Sequence, residues 1–280
     1  MGNLPDVLVV DEAGAGEFTV RHPTDDPEGR DVVFSGQVLA QMIMAADKTV
    51  NSEKDVKSVY AIFARAGTYT KPMELQLETM HSGRAWASHT ITSTQGGKLM
   101  ARALVLMNSV EKDLMRHGPA MPDVPGPEKL ASSGMLTYPG LDNRPIDDPN
   151  AVGPDGTPAL RFWMKLGESY DSVAANQAIL AWSQPGMIIG LAMRPHRDKV
   201  NIGDAHRTIS TGVISHTVHF HERFDIGQWL LVSQQAHYAG NGRVFGTGQV
   251  FTQDGLLVST FEQDAMARGV EGELDPKRAM

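Results

Sequence analysis

The feature that most constrains the fold of this chain is a pair of similar hairpin-like segments. "GRAWASHTITSTQG" (83–96) and "GRVFGTGQVFTQDG" (242–255) coincide when the sequence is shifted by 159 positions. Each begins with Gly-Arg, alternates in polarity and reaches a second glycine at the same spacing. Alternation bounded by glycine turns predicts antiparallel strands. Any two antiparallel hairpins share such turns, so this pair alone leaves chance similarity open.

The segments upstream favour a duplication. Residues 35–50 and 172–193 both space their apolar residues as a helix does, and the short strand-like runs "EFTVRH" and "LRFWMKL" precede them. A helix of this length cannot bury its apolar stripe alone, but a curved sheet wrapped around it can. The sequence therefore predicts an α+β fold, a double hot dog: two tandem hot-dog domains, each a curved antiparallel sheet wrapped around one helix.

The middle of the chain is rich in proline. Residues 117–158 carry nine of the sixteen prolines, with glycine and aspartate interspersed. Because proline fixes φ and lacks a backbone donor, we expect a connector rather than a sheet segment, in part disordered or lying across the surface. The predicted division is an N-terminal domain at 1–115, the Pro-rich connector at 116–158 and a C-terminal domain at 159–280.

Composition narrows the classes of function. The chain has no cysteine, which excludes disulfides, thiolate nucleophiles and Cys-ligated metals and agrees with a cytoplasmic location. Its net charge is −8 without a run of Lys and Arg, so we expect no nucleic-acid partner. No apolar run approaches the roughly 20 residues that span a bilayer, and the N-terminus lacks the features of a signal peptide.

Common catalytic motifs are missing from the sequence. We find no G-x-S-x-G elbow, no phosphate-cradling glycine loop with a lysine and no H-E-x-x-H. The segment "HTVHFH" places His219 and His221 on one face of a strand and His216 on the other. Two histidines without a third ligand at a suitable spacing are more typical of hydrogen-bonded structural histidines than of a metal site, so we predict no metal.

Several motifs in order resemble the acyl-CoA thioesterase II family. They are "VVFSGQVLAQ", "FARAGTYTKP" and "SGRAW" in the first half, then "HFHERFDIGQWLL" and "DGLLVSTFEQDAMAR" in the second. The similarity runs from about Phe18 to Arg268 and is weak only in the connector.

The resemblance implies both a fold and an activity. The family's fold is the double hot dog, and its members hydrolyse fatty acyl-CoA to CoA and a free fatty acid. An Asp, a Thr or Ser and a Gln hold the attacking water, without a metal, a covalent intermediate or a cofactor, because coenzyme A is part of the substrate. The implied partner is acyl-CoA, and the family tends to form homo-oligomers.

The family's catalytic residues carry over only in part. Its Gln matches Gln263 in "FEQDA", whose counterpart under the shift of 159 is the apolar Leu104. The Thr or Ser position holds Val213, and the Asp position holds Pro185 or, with a one-residue gap, Gln184. Valine cannot hydrogen-bond a water, and neither Gln nor Pro can accept its proton. The resemblance therefore implies a degenerate triad and an activity that is weak or carried by altered residues.

Nearby polar residues offer replacements. We select Gln263, Gln184 and Thr211 as the candidate catalytic residues, because Thr211 shares the face of Val213 in a regular strand. The alternatives are Ser215, Ser183 and, as a titratable base, Asp204 or His206. Alternatively, Gln263 is a buried polar residue whose hydrogen bonds are satisfied in a pocket that does not hydrolyse its ligand.

Three further residues are candidates for substrate binding. Ser35 is a suitable N-cap, which predicts that Gly36 and Gln37 present free backbone N–H groups to a carbonyl oxygen or simply begin a helix. Arg65 follows the family's turn, where it could contact CoA phosphates; Arg84 and Arg243 are more typical of a shared fold feature.

Two functions from different classes follow. The first is acyl-CoA hydrolysis, and the alternative is a non-catalytic acyl-CoA or acyl-chain binding protein on the same scaffold. Enoyl-CoA hydration is disfavoured, because no Asp and His have the spacing that this chemistry needs.

Overall fold

The computed structural model describes residues 8–22, 31–49, 54–133, 140–148, 151–153, 155–201 and 208–270. The chain divides into two compact units, neither of which is a single stretch of sequence. The first unit comprises the described residues of Met1–His117, Asp171–Gln184 and Ser215–Phe220, and the second those of Gly118–Tyr170, Pro185–Ile214 and His221–Met280. The contiguous domains 1–115 and 159–280 stay a prediction.

The first unit is an antiparallel sheet with two helices. Its strands are β1 (Val10–Gly14), β2 (Glu17–Val20), β3 (Asp55–Phe63), β4 (Met73–Ser82), β5 (Trp86–Gln95), β6 (Lys98–Asn108) and the end of β9 (Ile209–Phe220). The strand order is β1-β2-β4-β5-β6-β3-β9. Alternate residues of β5 are buried, which is the pattern of a strand with one face on the core.

Two helices of the first unit pack closely against each other. Helix α1 (Ser35–Thr49) contacts β3, β4, β5 and β6, and its neighbour is α2 (Val173–Ser183). Gly36 lies against the carbonyl oxygen of Trp182, which a Cβ at this position would overlap. The glycine of the "FSGQ" motif therefore permits the close approach of the two helices.

The second unit is a second antiparallel sheet. Its strands are β7 (Leu141–Pro145), β8 (Ala159–Leu166), β10 (Leu230–Gly240), β11 (Arg243–Thr252), β12 (Leu257–Gly269) and the beginning of β9. The order is β9-β12-β11-β10-β8-β7. The short helix α3 (Met187–Met193) packs on β10, β11 and β12.

The predicted helix at 172–193 is broken into two helices. Helix α2 ends at Ser183 and α3 begins at Met187. Between them, Pro185 cannot donate to a helical carbonyl, and Gly186 takes a φ of +95°, which other residues rarely adopt. The Pro-Gly pair thus ends one helix and redirects the chain into the next.

The Pro-rich connector is more ordered than the sequence suggested. Residues Leu141–Pro145 form β7, which pairs with β8, so the expectation of a connector without sheet residues is wrong for this stretch. Pro145 is tolerated because it ends a strand at the edge of the sheet. Trp163 donates its indole N–H to Pro125 O at 2.9 Å, and its cluster with Leu231 and Phe251 is packed against connector residues, among them Met121, Val124 and Leu130.

The repeat is real at the level of the hairpins, but its register differs from the sequence estimate. The bulge between Thr79 and His81 in β4 corresponds to the bulge between Ala236 and Tyr238 in β10. Matching these bulges gives a shift two residues shorter than 159. The two glycine-arginine pairs are therefore not structurally equivalent, although both lie at the same kind of hairpin.

Leu104 is not the counterpart of Gln263. Leu104 is 49% exposed and Gln263 is 1% exposed, so they lie on opposite faces of their strands. The loop at 253–256 is two residues longer than the turn at 96–97, which changes the offset after the hairpin. When β5 and β6 are aligned with β11 and β12 at the bulges near the two turns, the counterpart of Gln263 is the buried Val105.

Candidate functional site

Gln184 and His216 form a buried polar pair in the first unit. Gln184 caps the C-terminus of α2, and His216 lies on the part of β9 that pairs with β3. Their exposed fractions are 3% and 0%. Nε2 of His216 lies 3.2 Å from Oε1 of Gln184; because a carbonyl oxygen only accepts, the ring nitrogen carries the hydrogen and donates it.

Gln263 is held by the backbone in the second unit. Gly186 donates its N–H to Oε1 of Gln263 at 3.1 Å. The break at Pro185 is what frees this N–H, since a continuous helix would direct it to a carbonyl one turn earlier. Gln263 pairs across the sheet with Gly246, which faces Ile188 of α3 and has no room for a side chain.

Both amides keep their NH₂ groups without a partner. Nε2 of Gln184 and Nε2 of Gln263 have no hydrogen-bond partner among the described residues, although both atoms are buried. An unsatisfied buried donor costs about 1–3 kcal/mol. Each amide therefore offers donors to a ligand or to water, which is what a group that binds a carbonyl oxygen or positions a water needs.

The N-terminus of α1 differs from the prediction. The N–H of Gln37 donates to Phe34 O at 3.0 Å, so it is not free, because the first turn closes with a tighter bond. The N–H of Gly36 has no partner in the described part of the chain. The side chain of Gln37 lies with its Nε2 2.8 Å from Nδ1 of His22.

His22 is a site neighbour that sequence reasoning missed. Its ring also meets the Tyr69 ring edge-on at 5.5 Å. Burial lowers the pKa of His22, an effect only partly opposed by a backbone carbonyl at Lys71 and by the charge of Asp31. The ring is therefore neutral at pH 7, and Nδ1 accepts from the Gln37 amide. No sequence pattern links His22 to Gln37, which follows it by 15 residues, so the sequence alone could not reveal this contact.

Arg65 lies in an ordered loop. Its side chain is exposed, and its backbone N–H donates to Met100 O at 3.3 Å. Gln95 fixes the loop: its Nε2 donates to Thr68 O and Lys71 O, both at 2.8 Å, and its Oε1 accepts from Thr68 N at 2.9 Å. Arg65 is thus an exposed cation on a fixed backbone, and its phosphate contact stays a prediction.

Thr211 and its neighbours lie on the predicted strand. Thr211, Val213 and Ser215 are half-buried in β9, in a stretch of the strand where burial does not alternate. Asp204 and His206 lie outside the described residues. The side chain of Thr211 makes no hydrogen bond within the described ranges, and its catalytic role stays a prediction.

The three histidines of "HTVHFH" have separate environments. His216 contacts Gln184, His219 meets Tyr60 edge-on at 5.3 Å, and His221 lies beyond the strand with its Nε2 2.9 Å from Oγ1 of Thr260. Within the described ranges, no group of three or more His, Asp or Glu side chains is arranged to hold a metal ion. None of the helices there has the length and apolarity to cross a membrane.

Two family models match the chain. The acyl-CoA thioesterase N-terminal domain matches residues 23–108, and the acyl-CoA thioesterase C-terminal domain matches residues 117–267. Among proteins, acyl-CoA thioesterase 2 of Haemophilus influenzae is 27% identical over 255 residues, which is 84% of this chain and 87% of that protein. Human acyl-coenzyme A thioesterase 8 is 26% identical over 265 residues, 84% of this chain and 80% of that protein.

Solved structures resemble the whole chain. An acyl-CoA thioesterase II from Mycobacterium marinum has a TM-score of 0.82 at 21% identity and covers 96% of this chain and 99% of its own. A protein of unknown function with a hot-dog fold from Alicyclobacillus acidocaldarius has a TM-score of 0.76 at 18% identity, with 96% and 98% covered. These likenesses confirm the predicted α+β double hot-dog fold.

Proposed function

Because this chain belongs to the acyl-CoA thioesterase family, we propose that it hydrolyses fatty acyl-CoA to CoA and a free fatty acid. The observation that carries the proposal is Gln263: its side chain is buried, Gly186 fixes its Oε1, and its Nε2 is left to donate. This is the one residue of the family's catalytic set that the sequence retains.

The proposed reaction is a direct attack of water. The water oxygen adds to the thioester carbonyl carbon, and the carbonyl oxygen takes the negative charge. The intermediate then collapses, the carbon–sulfur bond breaks, and the sulfur leaves as the CoA thiol with a proton from the water. The NH₂ group of Gln263 would donate either to the water or to the charged oxygen, where a fixed donor stabilises the transition state more than water can.

The remainder of the triad is degenerate in this proposal. Gln184 replaces the carboxylate, and Thr211 replaces the hydroxyl that Val213 lacks. An amide cannot take a proton at neutral pH, so we expect slow turnover relative to a member with the carboxylate. Gly36 and Arg65 are proposed to bind the carbonyl oxygen and a CoA phosphate, whereas Gln37 is proposed to support the helix start through His22.

The experiment measures free thiol released from a series of acyl-CoAs with a thiol-reactive dye, to which the cysteine-free chain adds no background. Gln263→Ala should reduce the rate about 100-fold, as expected for loss of one fixed donor. Glu262→Ala is the matched control, because Glu262 directly precedes Gln263 in β12 and is exposed. Release that is equal in Gln263→Ala and the native chain would contradict the assignment.

The second candidate is an acyl-CoA binding protein without catalysis. Val213 and the Gln184-Pro185 pair favour it, because both replace groups that the family uses on the water. Tight binding of acyl-CoA without thiol release from any chain length would support this function instead. The absence of a separate cofactor, a homo-oligomeric state and a cytoplasmic location stay predictions.

A further inference from the structure

We propose that His216 is a positioning residue that fixes the amide of Gln184 with its NH₂ group towards the thioester. The inference rests on the proposed function, because it concerns a residue that the proposal places in the same reaction. His216 lies outside the motifs that carry the family resemblance, and the spacing of "HTVHFH" predicts only a structural role for it.

The pair has the geometry of a directed hydrogen bond. The separation of 3.2 Å between Nε2 of His216 and Oε1 of Gln184 is within range, and both side chains are excluded from solvent. Imidazole donates from Nε2 in its protonated form and in one neutral tautomer. The bond therefore survives a change in the charge of the ring.

The replacement of a carboxylate by an amide creates the need for such a partner. The two oxygens of a carboxylate are equivalent acceptors, so its function does not depend on which one faces the substrate. The two ends of an amide differ, since one only accepts and the other only donates. A donor aimed at Oε1 selects one of the two orientations of Gln184 and leaves Nε2 as the end that meets a ligand.

The chemical consequence concerns the substrate's carbonyl. Nε2 of Gln184 is buried and has no partner among the described residues, so a carbonyl oxygen that reaches it gains a hydrogen bond at no cost in lost protein contacts. The donor would polarise the thioester, whereas the family's carboxylate acts on the water. His216 thus contributes to catalysis through Gln184 without touching the substrate.

The first test is a double-mutant cycle. His216→Leu should reduce kcat about 10- to 100-fold with a smaller change in KM, as expected for a misplaced catalytic group. In a Gln184→Met background, the same His216→Leu change should have no further effect on kcat, because the amide that it orients is gone. His216→Gln, which can still donate, should recover part of the rate.

Controls separate positioning from folding. His219→Leu lies on the same strand and faces away from His216, so it should leave kcat unchanged. Thermal unfolding of every variant reports stability. A His216→Leu loss that is equal in the native and the Gln184→Met backgrounds would overturn the inference, whatever the melting temperatures.

A binding measurement tests the inference even without turnover. A ketone analogue of acyl-CoA, with CH₂ in place of sulfur, retains the carbonyl, and a thioether analogue lacks it. His216→Leu should weaken binding of the ketone about tenfold and leave binding of the thioether unchanged. Equal effects of His216→Leu on both analogues would overturn the role of His216. If His216→Leu weakens binding of the ketone alone but the protein releases no thiol from acyl-CoA, the result counts only against the proposed hydrolysis.

Discussion

The backbone N–H of Gly186 donates to Oε1 of Gln263 at 3.1 Å, across 77 residues of sequence. This bond joins the break between α2 and α3 to Gln263, the residue that we propose as catalytic. The resemblance puts Pro185 or Gln184 at the family's Asp position, and in the structure the N–H of the following Gly186 is directed to Gln263 rather than to a helical carbonyl.

Substitution of Gly186 should damage both stability and turnover. Gly186→Ala forces a side chain into a φ of +95°, which costs about 1–2 kcal/mol, and displaces the donor from Gln263. We expect a lower melting temperature and about a tenfold fall in kcat. Gly190→Ala is the control, because nothing lies within 4 Å of a Cβ there and alanine favours the helix. Equal kcat in both variants would refute the role of Gly186.

The contact of α1 with α2 should tolerate no side chain at position 36. Gly36→Ala places a Cβ on the carbonyl oxygen of Trp182, so the helices must move apart. We expect a loss of about 1–3 kcal/mol in the free energy of unfolding, measured with urea. Gly118→Ala, with open space around the new Cβ, should cost little. A Gly36→Ala variant as stable as the native chain would contradict this packing.

The loop that carries Arg65 should depend on Gln95. Gln95→Leu removes three hydrogen bonds, to Thr68 and Lys71, and should cost about 2–4 kcal/mol of stability. If Arg65 binds a CoA phosphate, KM for acyl-CoA should rise more than kcat falls. Thr94→Ala on the same strand is the control, and a Gln95→Leu protein with unchanged stability would show that the loop is held by other contacts.

Stability should fall as the pH is lowered through the histidine range. Burial lowers the pKa of His22 and of His89 from 6.5, so unfolding takes up protons below that pH. The stabilisation is complete above pH 6.5 and is lost as the pH falls towards the lowered values. Melting temperatures from pH 8 to pH 5 measure the effect.

Two variants assign the pH dependence. His89→Gln keeps a polar side chain that does not titrate and should flatten the fall in melting temperature between pH 7 and pH 5. His237→Gln, at an exposed position, should retain the full fall. A profile that is unchanged in His89→Gln would show that His89 does not contribute.

The sequence by itself determined the fold class, because strand alternation and helical spacing are local patterns that only a few architectures can bury. Its linear motifs also predict a catalytic Gln263 and a missing carboxylate, and both roles stay predictions. It could not give the hairpin register, because bulges and loop length shift the pairing without changing the alternation. For this reason the shift of 159 wrongly matches Leu104 with Gln263.

Only the tertiary structure decided the polar environment of the site. The contacts of Gln184 with His216, of Gln37 with His22 and of Gly186 with Gln263 join residues far apart in sequence, and their geometry depends on how the elements pack. Hydrophobic periodicity shows which face of a helix or strand is buried. It does not show which residue a side chain on that face will contact. Orientation of a buried amide is set by that partner, and so it emerges only when the chain is folded.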